Sequence, residues 1–332
     1  MKRVIVTGSV ANDYIMAFPG DFTEHIIPDK LDVLSVSFLV DSLRREPGGC
    51  AVNIAYNLAL LGERPSVMAT VGQDWAEDRL RLEAAGVDTA HVRAVDGVHT
   101  ASFFVSTDRH NRQIASFYVG AMGHAGELEL ADAVGREPGD AASVVAVVIA
   151  PNAPEAMVKL AADCKALGVP YVYDPSQQIV RLSGDDLRAG IDGSLVTIAN
   201  EYEFELIREK TGLESDDIRR MTGTLVITHG EKGSQIWADG TMHAVGIVPP
   251  AAEVDPTGVG DAYRAGVVLG LLHDLPWPVA GRVGALCATY ALEALGTQRH
   301  TFTPAEFAAR YAEHFGPVPE ALARLLVARR PA

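Results

Sequence analysis

The most informative segment of the chain is residues 255–266, which read Asp-Pro-Thr-Gly-Val-Gly-Asp-Ala-Tyr-Arg-Ala-Gly. Its glycines let the backbone approach a ligand closely, and a helical apolar pattern begins directly after them. Successive N–H groups at a helix start, aided by the helix dipole, form a site for an anion. Asp261 adds a carboxylate that could take a proton from an attacking hydroxyl. The alternative is an ordinary glycine-rich loop in which Asp261 caps the helix.

Outside this segment, short apolar runs alternate with segments of helical spacing. The predicted strands are Val4–Val6, Ser66–Ala69, Val144–Ala150, Tyr171–Tyr173, Leu195–Ile198 and Leu225–Thr228. The predicted helices include Val52–Leu61, Ala153–Leu167, Tyr202–Lys210, Trp277–Leu295 and Pro304–His314. Continuous apolar strands that alternate with crossover helices are typical of a parallel sheet covered on both faces. The sequence therefore predicts an α/β fold with a mostly parallel central sheet flanked by helices.

Residues 31–41 and 99–119 interrupt this rhythm, because both carry alternating patterns that favour strands. We interpret them as a small β-sheet lid that covers the crevice at the ends of the parallel strands. A surface hairpin without a gating role is the alternative. The predicted domains are a large α/β domain (1–12, 48–96 and 121–332) and a small β lid (13–47 and 97–120).

Composition narrows the classes of function. The 332 residues are 48% hydrophobic, enough for a large core, and their net charge is −15. That charge argues against nucleic acid or an anionic membrane as the main partner. Three widely spaced cysteines form no metal or disulfide pattern, so we assign each to the core and expect a cytoplasmic protein. No segment approaches the roughly 20 apolar residues of a membrane span.

Four further motifs place polar groups and glycines beside predicted strands and helices. The first two are Gly8-Ser9 with Asp13, and Gly48-Gly49 with Asn53; their side chains suit sugar hydroxyls. The third is Asn200 with Glu203, which fits a helix capping box and could also hold Mg²⁺ through its waters. The fourth is Thr228 with Gly230 and Gly233, which suits a nucleotide but is also typical of a hairpin turn. The sequence has neither a P-loop nor a dinucleotide fingerprint.

In this order, the motifs resemble the ribokinase-like family of carbohydrate and nucleoside kinases over nearly the whole chain. Within that family the chain is similar to bacterial adenosine kinases of the mycobacterial type. The similarity includes Gln113–Tyr118 and Asp174–Gln178 in addition to the 255–261 segment. The resemblance implies a ribokinase-like fold and transfer of phosphate from ATP to the 5′-hydroxyl of adenosine, giving AMP and ADP.

The resemblance also implies a set of site residues. Asp261 would be the general base, and the N–H groups of Gly258, Val259 and Gly260 would form the anion hole. The nucleoside would be bound by Ser9, Asp13, Gly49, Asn53, Phe103, Phe117, Gln177 and Gln178. ATP would be bound by Asn200, Thr228, Gly230, Gly233, Gly258 and Gly260, and Arg181 would contact phosphate. Mg²⁺ would bind through water to Asn200 and Glu203, and Asp255 would hold an activating K⁺.

An aromatic pair at Phe103 and Phe117 suits a flat base better than a free sugar, although both rings could instead be lid core. Alternatives to the adenosine kinase are a sugar kinase of the same fold, acting on ribose or another pentose or hexose, and a catalytically silent nucleoside-binding regulator. Members of the family often dimerise through the lid, so we expect a homodimer that covers the apolar face of residues 31–41.

Overall fold

The computed structural model describes residues 2–26, 28–135, 137 and 139–327. The strands are β1 (Arg3–Thr7), β2 (Ala11–Ala17), β3 (Ser42–Gly48), β4 (Ser66–Val71), β5 (Asp88–Ala94), β6 (Ala101–Thr107), β7 (Gln113–Tyr118), β8 (Val144–Ile149), β9 (Tyr171–Tyr173), β10 (Val196–Asn200), β11 (Thr224–Thr228), β12 (Ser234–Ala238) and β13 (Thr241–Val245). The helices are α1 (Phe22–His25), α2 (Cys50–Leu60), α3 (Ala76–Ala84), α4 (Leu130–Val134), α5 (Asp140–Ser143), α6 (Pro154–Leu167), α7 (Gly184–Ile191), α8 (Glu201–Thr211), α9 (Ser215–Met221), α10 (Val259–Leu272), α11 (Trp277–Leu292), α12 (Pro304–Phe315) and α13 (Glu320–Val327). Short 3₁₀ turns cover Pro28–Val33, Gly120–Glu127, Ser176–Val180 and Gly230–Lys232.

Nine strands form the large sheet, in the order β13-β12-β11-β10-β9-β8-β1-β4-β5. The seven strands from β11 to β5 are parallel, whereas β12 and β13 are antiparallel. The chain leaves β1 toward β4 on one side and later returns to β8 on the other. Ligands of open α/β sheets bind where the strand order reverses in this way. The carboxyl ends of β1 and β8 are therefore the expected edge of a site.

Both faces of the large sheet are buried, and this explains the continuous apolar strands. Val4 and Val6 of β1 join the core that includes α2, α10 and α11, whereas Ile5 joins the core that includes α6, α7 and α8. The strands predicted for the large sheet and the predicted helices all form, with ends shifted by a few residues. The α/β fold with a mostly parallel sheet is confirmed.

A separate four-stranded sheet, which we call the lid, has the order β3-β2-β6-β7. Strands β6 and β7 confirm the prediction for residues 99–119. The strand prediction for residues 31–41 is wrong, because 31–33 belong to a 3₁₀ turn and 34–41 lie outside any strand. β3 occupies the edge beside β2 instead. Of the apolar residues that suggested a strand face, Phe38 packs on Phe18 and Phe22, while Leu39 is 85% exposed.

Helix α13 packs Leu322 and Leu326 against the core, and residues 328–332 lie outside the described part of the chain. Among the residues that the structure describes, no helix has both the length and the apolar character of a membrane span.

Candidate active site

A cavity of about 1070 Å³ lies between the lid and the carboxyl ends of the large-sheet strands. Every predicted site residue lines it except Asp255, namely Ser9, Asp13, Gly49, Asn53, Phe103, Phe117, Gln177, Gln178, Arg181, Asn200, Glu203, Thr228, Gly230, Gly233, Gly258, Val259, Gly260 and Asp261. Motifs up to about 250 positions apart in sequence thus meet in one cavity. Their individual roles stay predictions.

The lid contributes a row of three side chains to the cavity. Asp13 on β2 is in register with Phe103 on β6, which is in register with Phe117 on β7, so all three lie on one face of the sheet. Burial raises the pKa of Asp13 to about 6, and the negative charges of Asp255 and Glu46 add to the effect. The row combines a carboxylate, which can accept hydrogen bonds from hydroxyl groups, with two neighbouring aromatic rings.

The segment after β1 packs tightly on the start of α2. Gly49 precedes the helix with φ +101°, and a Cβ there would lie 2.5 Å from the Ser9 carbonyl oxygen. Ser9 Oγ accepts a hydrogen bond from the Cys50 N–H (3.1 Å), and the Ser9 carbonyl accepts one from Ala51 N–H (3.1 Å). Ser9 therefore accepts hydrogen bonds from two N–H groups at the start of α2 that have no partner within the helix. The predicted role of Ser9 in substrate binding did not include this contact.

The glycine-rich segment opens α10, as the sequence predicts. Gly258 is the N-cap residue with φ +78°, and a Cβ on it would lie 3.0 Å from the Thr297 side chain. Asp261 lies in the first turn of the helix and is 8% exposed. The Val259 N–H makes a long bond of 3.4 Å to the Pro256 carbonyl. These features combine a helix N-terminus with a nearly buried carboxylate at the cavity wall.

Asp261 is surrounded by groups that act on its charge. Burial raises its pKa, whereas Arg264 and hydrogen bonds from Asn53 and Cys50 act in the opposite direction. Asn53 Nδ2 donates to Asp261 Oδ2 at 2.9 Å. Asn53 was predicted to bind substrate, and in the structure its amide also holds the carboxylate.

An ion pair between Arg264 and Asp174 lies behind the carboxylate, and the sequence analysis missed its role in the site. Arg264 Nη2 donates to Asp174 Oδ1 at 2.7 Å, and Arg264 Nε also contacts the second Asp174 oxygen. Burial opposes the charge of Arg264, but the carboxylates of Asp174 and Asp261 raise its pKa overall. The sequence contains one indication of this role: Arg264 follows Asp261 by three residues, so the two side chains lie on the same face of the helix.

All three cysteines contact the apolar cores, but Cys50 is only partly buried and has a second environment. Cys164 and Cys287 are fully buried in the two cores, but Cys50 lines the cavity beside Asp261. Its position follows from Gly49, which starts α2 at the cavity edge. Burial raises the pKa of the Cys50 thiol well above its usual value, so we expect it to stay protonated.

Asn200 and Glu203 form the capping box that their spacing predicts. Asn200 Oδ1 accepts from Glu203 N–H, and a Glu203 oxygen accepts from Asn200 N–H, both at 2.8 Å. The other Glu203 oxygen accepts from Ser176 Oγ at 3.0 Å. Within the described residues, no group of three or more His, Cys, Asp or Glu side chains is arranged to hold a metal. This donor set fits Mg²⁺ only through water and a bound phosphate.

Asp255 lies just outside the cavity lining. Its oxygens accept from the backbone N–H groups of Thr257 (2.9 Å) and Gly296 (3.0 Å), and these bonds join the glycine-rich turn to the segment after α11. Partial burial raises its pKa, but the hydrogen bonds from Thr257 and Gly296 lower it overall. The carboxylate keeps further lone pairs for a cation.

A further part of the cavity lining consists of a glycine-containing hairpin and an apolar helix face. Thr228 ends β11, and the hairpin to β12 turns at Gly230 and Gly233, both with positive φ. Helix α11 contributes four residues to this part of the lining: Ala285, Ala288, Thr289 and Leu292. Their spacing places them on one face of the helix, but the sequence did not indicate that this face meets the cavity. Glycine turns beside an apolar wall suit the flat base and ribose of a nucleotide.

Comparison with known proteins identifies the family. Residues 1–304 match the family of pfkB carbohydrate kinases. The chain belongs to this family. It is 29% identical over 319 residues to a nucleoside kinase of Methanothermobacter thermautotrophicus, covering 95% of this chain and 97% of that protein. The kinase family expected from the motifs is thus confirmed.

Two solved nucleoside kinases resemble the chain over nearly its whole length. A Burkholderia thailandensis nucleoside kinase in complex with inosine is 34% identical, with a TM-score of 0.80 and coverage of 95% of this chain and 99% of that one. The nucleoside kinase of Methanocaldococcus jannaschii is 26% identical, with a TM-score of 0.83 and coverage of 95% and 99%. These matches confirm the ribokinase-like fold with its separate small sheet.

Proposed function

We propose that this kinase transfers the γ-phosphoryl group of ATP to the 5′-hydroxyl of a nucleoside, with adenosine as the first candidate. The observation that carries the proposal is the row of Asp13, Phe103 and Phe117 on the cavity face of the lid. Asp13 suits ribose hydroxyls, while the two rings suit a flat base. Stacking on such rings contributes about 1–3 kcal/mol per base, a gain that a free sugar does not receive.

Two glutamines support a base at this position. Gln178 is 8% exposed and lines the cavity, and its side-chain oxygen has no hydrogen-bond partner within the described residues. Gln177 is exposed at the same wall and its amide lies 3.9 Å from Cys50 Sγ. Amide groups that donate and accept can bind the polar edge of a purine. The inosine complex of the Burkholderia thailandensis kinase supports a nucleoside acceptor as well.

In the proposed reaction, Asp261 orients the 5′-hydroxyl and accepts its proton as the oxygen attacks the γ-phosphorus. The N–H groups of Gly258, Val259 and Gly260 stabilise the charge on the transferring group. Closure of the lid excludes water, which would otherwise compete as an acceptor. Arg181, exposed at the cavity wall, is a further candidate for a phosphate contact.

ATP is proposed to occupy the end of the cavity formed by Asn200, Thr228, Gly230 and Gly233. The complex of the Burkholderia thailandensis kinase with ADP and inosine supports a nucleotide beside the nucleoside. Mg²⁺ bound to the phosphates would neutralise part of their charge, with Asn200 and Glu203 contacting its waters. Asp255 remains the candidate ligand for an activating K⁺.

A free sugar is the second candidate acceptor, and the family match to carbohydrate kinases favours it. The purified protein should be assayed for ADP formation with Mg²⁺ and K⁺, using adenosine, inosine, guanosine, cytidine, ribose and fructose, with product masses recorded. We expect the highest kcat/KM for adenosine. A preference for ribose or fructose would replace the nucleoside by a sugar, and the absence of turnover with every acceptor would favour a nucleoside-binding regulator.

A further inference from the structure

Four side chains from separate parts of the chain form a hydrogen-bonded series that ends at Asp261. Arg81 of α3 donates to Gln298 Oε1 at 2.6 Å, and Gln298 Nε2 donates to Asn53 Oδ1 at 2.8 Å. Asn53 Nδ2 then donates to Asp261 Oδ2 at 2.9 Å. Gln298 and Asn53 are each only 4% exposed, and Arg81 reaches the surface. We call these four residues the Arg81–Asp261 chain.

The two ends of this chain fix the orientation of both amides. A guanidinium can only donate hydrogen bonds, so the Gln298 oxygen must face Arg81 and its NH₂ group must face Asn53. Asn53 then presents its oxygen to Gln298 and its NH₂ group to Asp261. An ionised carboxylate can only accept, which requires the same direction. Every bond in the series is therefore satisfied when Asp261 carries its charge.

Asn53 is also fixed from its backbone side. Its carbonyl accepts from Asn57 Nδ2 at 2.9 Å, and Asn57 Oδ1 lies 2.8 Å from His300 Nε2. Burial lowers the pKa of His300 to about 4, so the ring is neutral near neutral pH and Nε2 is the donor to Asn57. Tyr56 in turn donates to the His300 carbonyl at 2.8 Å. Helix α2 is thereby joined to residues 298–300 by a second set of bonds.

We propose that Gln298 and Arg81 are positioning residues for the general base: they orient the Asn53 amide so that it donates to Asp261 and holds the carboxylate ionised and in place. The inference rests on the proposed function of Asp261 and deepens it. One hydrogen of the Asn53 NH₂ group remains for a substrate hydroxyl, so the predicted contact with the nucleoside is compatible with this role.

The substitution Gln298→Glu tests the direction of the hydrogen bonds in the Arg81–Asp261 chain, because it conserves the shape of the side chain. A glutamate accepts from both sides, so it binds Arg81 and turns the Asn53 amide, placing the Asn53 oxygen against Asp261. The Asp261 pKa should rise by about one unit, which moves the acid limb of the kcat/KM profile up by about one pH unit. The carboxylate introduced at position 298 adds a negative charge that also raises this pKa directly. The neutral Gln298→Met, which removes both amide bonds without adding charge, is therefore measured beside it and should also show a rise, although a smaller one. The other titratable groups near Asp261 (Cys50, Asp174, Glu203 and Arg264) are unchanged.

Arg81→Gln removes the group that sets the direction, and Arg79→Gln on the same helix is the matched control. Arg79 pairs with Glu83 at the surface and is not part of the chain. We expect a smaller upward shift for Arg81→Gln than for Gln298→Glu and none for Arg79→Gln. Thermal unfolding of each variant shows whether an altered pH profile comes from a loss of folded protein or from a changed pKa of Asp261.

The Asp261 pKa should also be measured without substrate, by carboxyl-carbon NMR of ¹³C-aspartate-labelled protein, with Asp261→Asn supplying the assignment. A higher pKa in folded Gln298→Met as well as in Gln298→Glu supports the proposal, and a rise confined to the charge-changing variants Gln298→Glu and Arg81→Gln overturns it. The proposed function and the orienting role of the Arg81–Asp261 chain can fail independently of each other. If the wild-type protein phosphorylates no nucleoside but the pKa shift is present, the proposed function fails while the orienting role of the chain stands.

Discussion

Asp261 lies at the point where the helix start, the buried Asn53 amide and the Arg264 guanidinium meet. Asp261→Asn keeps the size of this side chain but removes its ability to accept the proton. We expect kcat to fall by about 10²–10⁴-fold, with KM values changed less than about threefold. Steady-state kinetics with nucleoside and ATP varied separately measure both effects. Turnover close to that of the wild type would exclude Asp261 as the base.

Asp13 is predicted to cost stability at neutral pH. Its pKa is about 6 in the folded protein against 3.8 in the unfolded chain, so the folded state holds the proton to higher pH. Its contribution to stability is therefore present below 3.8 and is lost as pH rises through about 6.

Asp13→Asn should consequently raise the free energy of unfolding by about 2–3 kcal/mol near neutral pH, with little change near pH 4, while KM for the nucleoside rises. Urea unfolding at the two pH values, together with kinetics, checks this. Equal stabilisation at both pH values would show that ionisation of Asp13 is not the cause.

At the residue scale, local patterns were predictable and distant partners were not. The capping box of Asn200 and Glu203 depends on a spacing of three, which the sequence displays directly. The partners of the Arg81–Asp261 chain are separated by up to 245 positions, and single residues of common types carry no pairing signal. Only the fold brings Gln298 beside Asn53.

Among the elements, the start of α2 depends on Gly49. A Cβ at this position would lie 2.5 Å from the Ser9 carbonyl oxygen and 2.6 Å from Val10 Cα. Gly97 also has positive φ, but nothing lies within 4 Å of its Cβ position. A substitution at Gly97 therefore measures the cost of the positive φ without any steric clash.

We expect Gly97→Ala to cost about 1 kcal/mol of stability, whereas Gly49→Ala should cost more than about 2 kcal/mol and lower activity. Chemical denaturation and nucleoside kinetics of both variants give the comparison. Similar losses in the two variants would contradict a special role for the close packing at Gly49.

The lid is expected to select the base through Phe117. Phe117→Ala should raise KM for the nucleoside by about 10–100-fold and leave KM for ATP nearly unchanged, because one stacking surface is lost. Phe104→Ala is the matched control, since Phe104 lies on the other face of the lid and stacks on Tyr14. The mass of both variants in solution should be recorded. An equal rise in KM for both variants would assign the effect to lid stability.

The lid also shows where periodicity misleads. Strands β6 and β7 were predictable because each alternates and a hairpin joins them. Residues 31–41 alternate as well, but strand formation needs a free sheet edge, and β3 occupies the edge beside β2. Competition between two segments for one edge is a tertiary effect that a local pattern does not contain.

At the scale of the whole molecule, the outer face of the lid predicts self-association. Leu43 is 62% exposed, and Phe104, Ile114 and Tyr118 on the same face are each about two fifths exposed. Such a patch is typical of an interface. We therefore expect a homodimer in sedimentation analysis, and a monomer for the double variant Leu43→Lys with Ile114→Lys.

Met242→Lys is the control for the dimer, because Met242 is 41% exposed on β13, the strand at the edge of the large sheet, and not on the lid. That variant should remain a dimer. A wild-type protein that sediments as a monomer at all concentrations would exclude association through the lid.

In the proposed function, the phosphoryl group of ATP is transferred to the 5′-hydroxyl of a nucleoside bound in this cavity. The most direct measurement is ³¹P NMR and mass analysis of the products from ATP and adenosine, with 5′-deoxyadenosine as the matched acceptor that lacks the reacting oxygen. We predict equal amounts of AMP and ADP from adenosine and no phosphorylated product from 5′-deoxyadenosine. Phosphate on free ribose or fructose but not on adenosine or another nucleoside would contradict the proposed function.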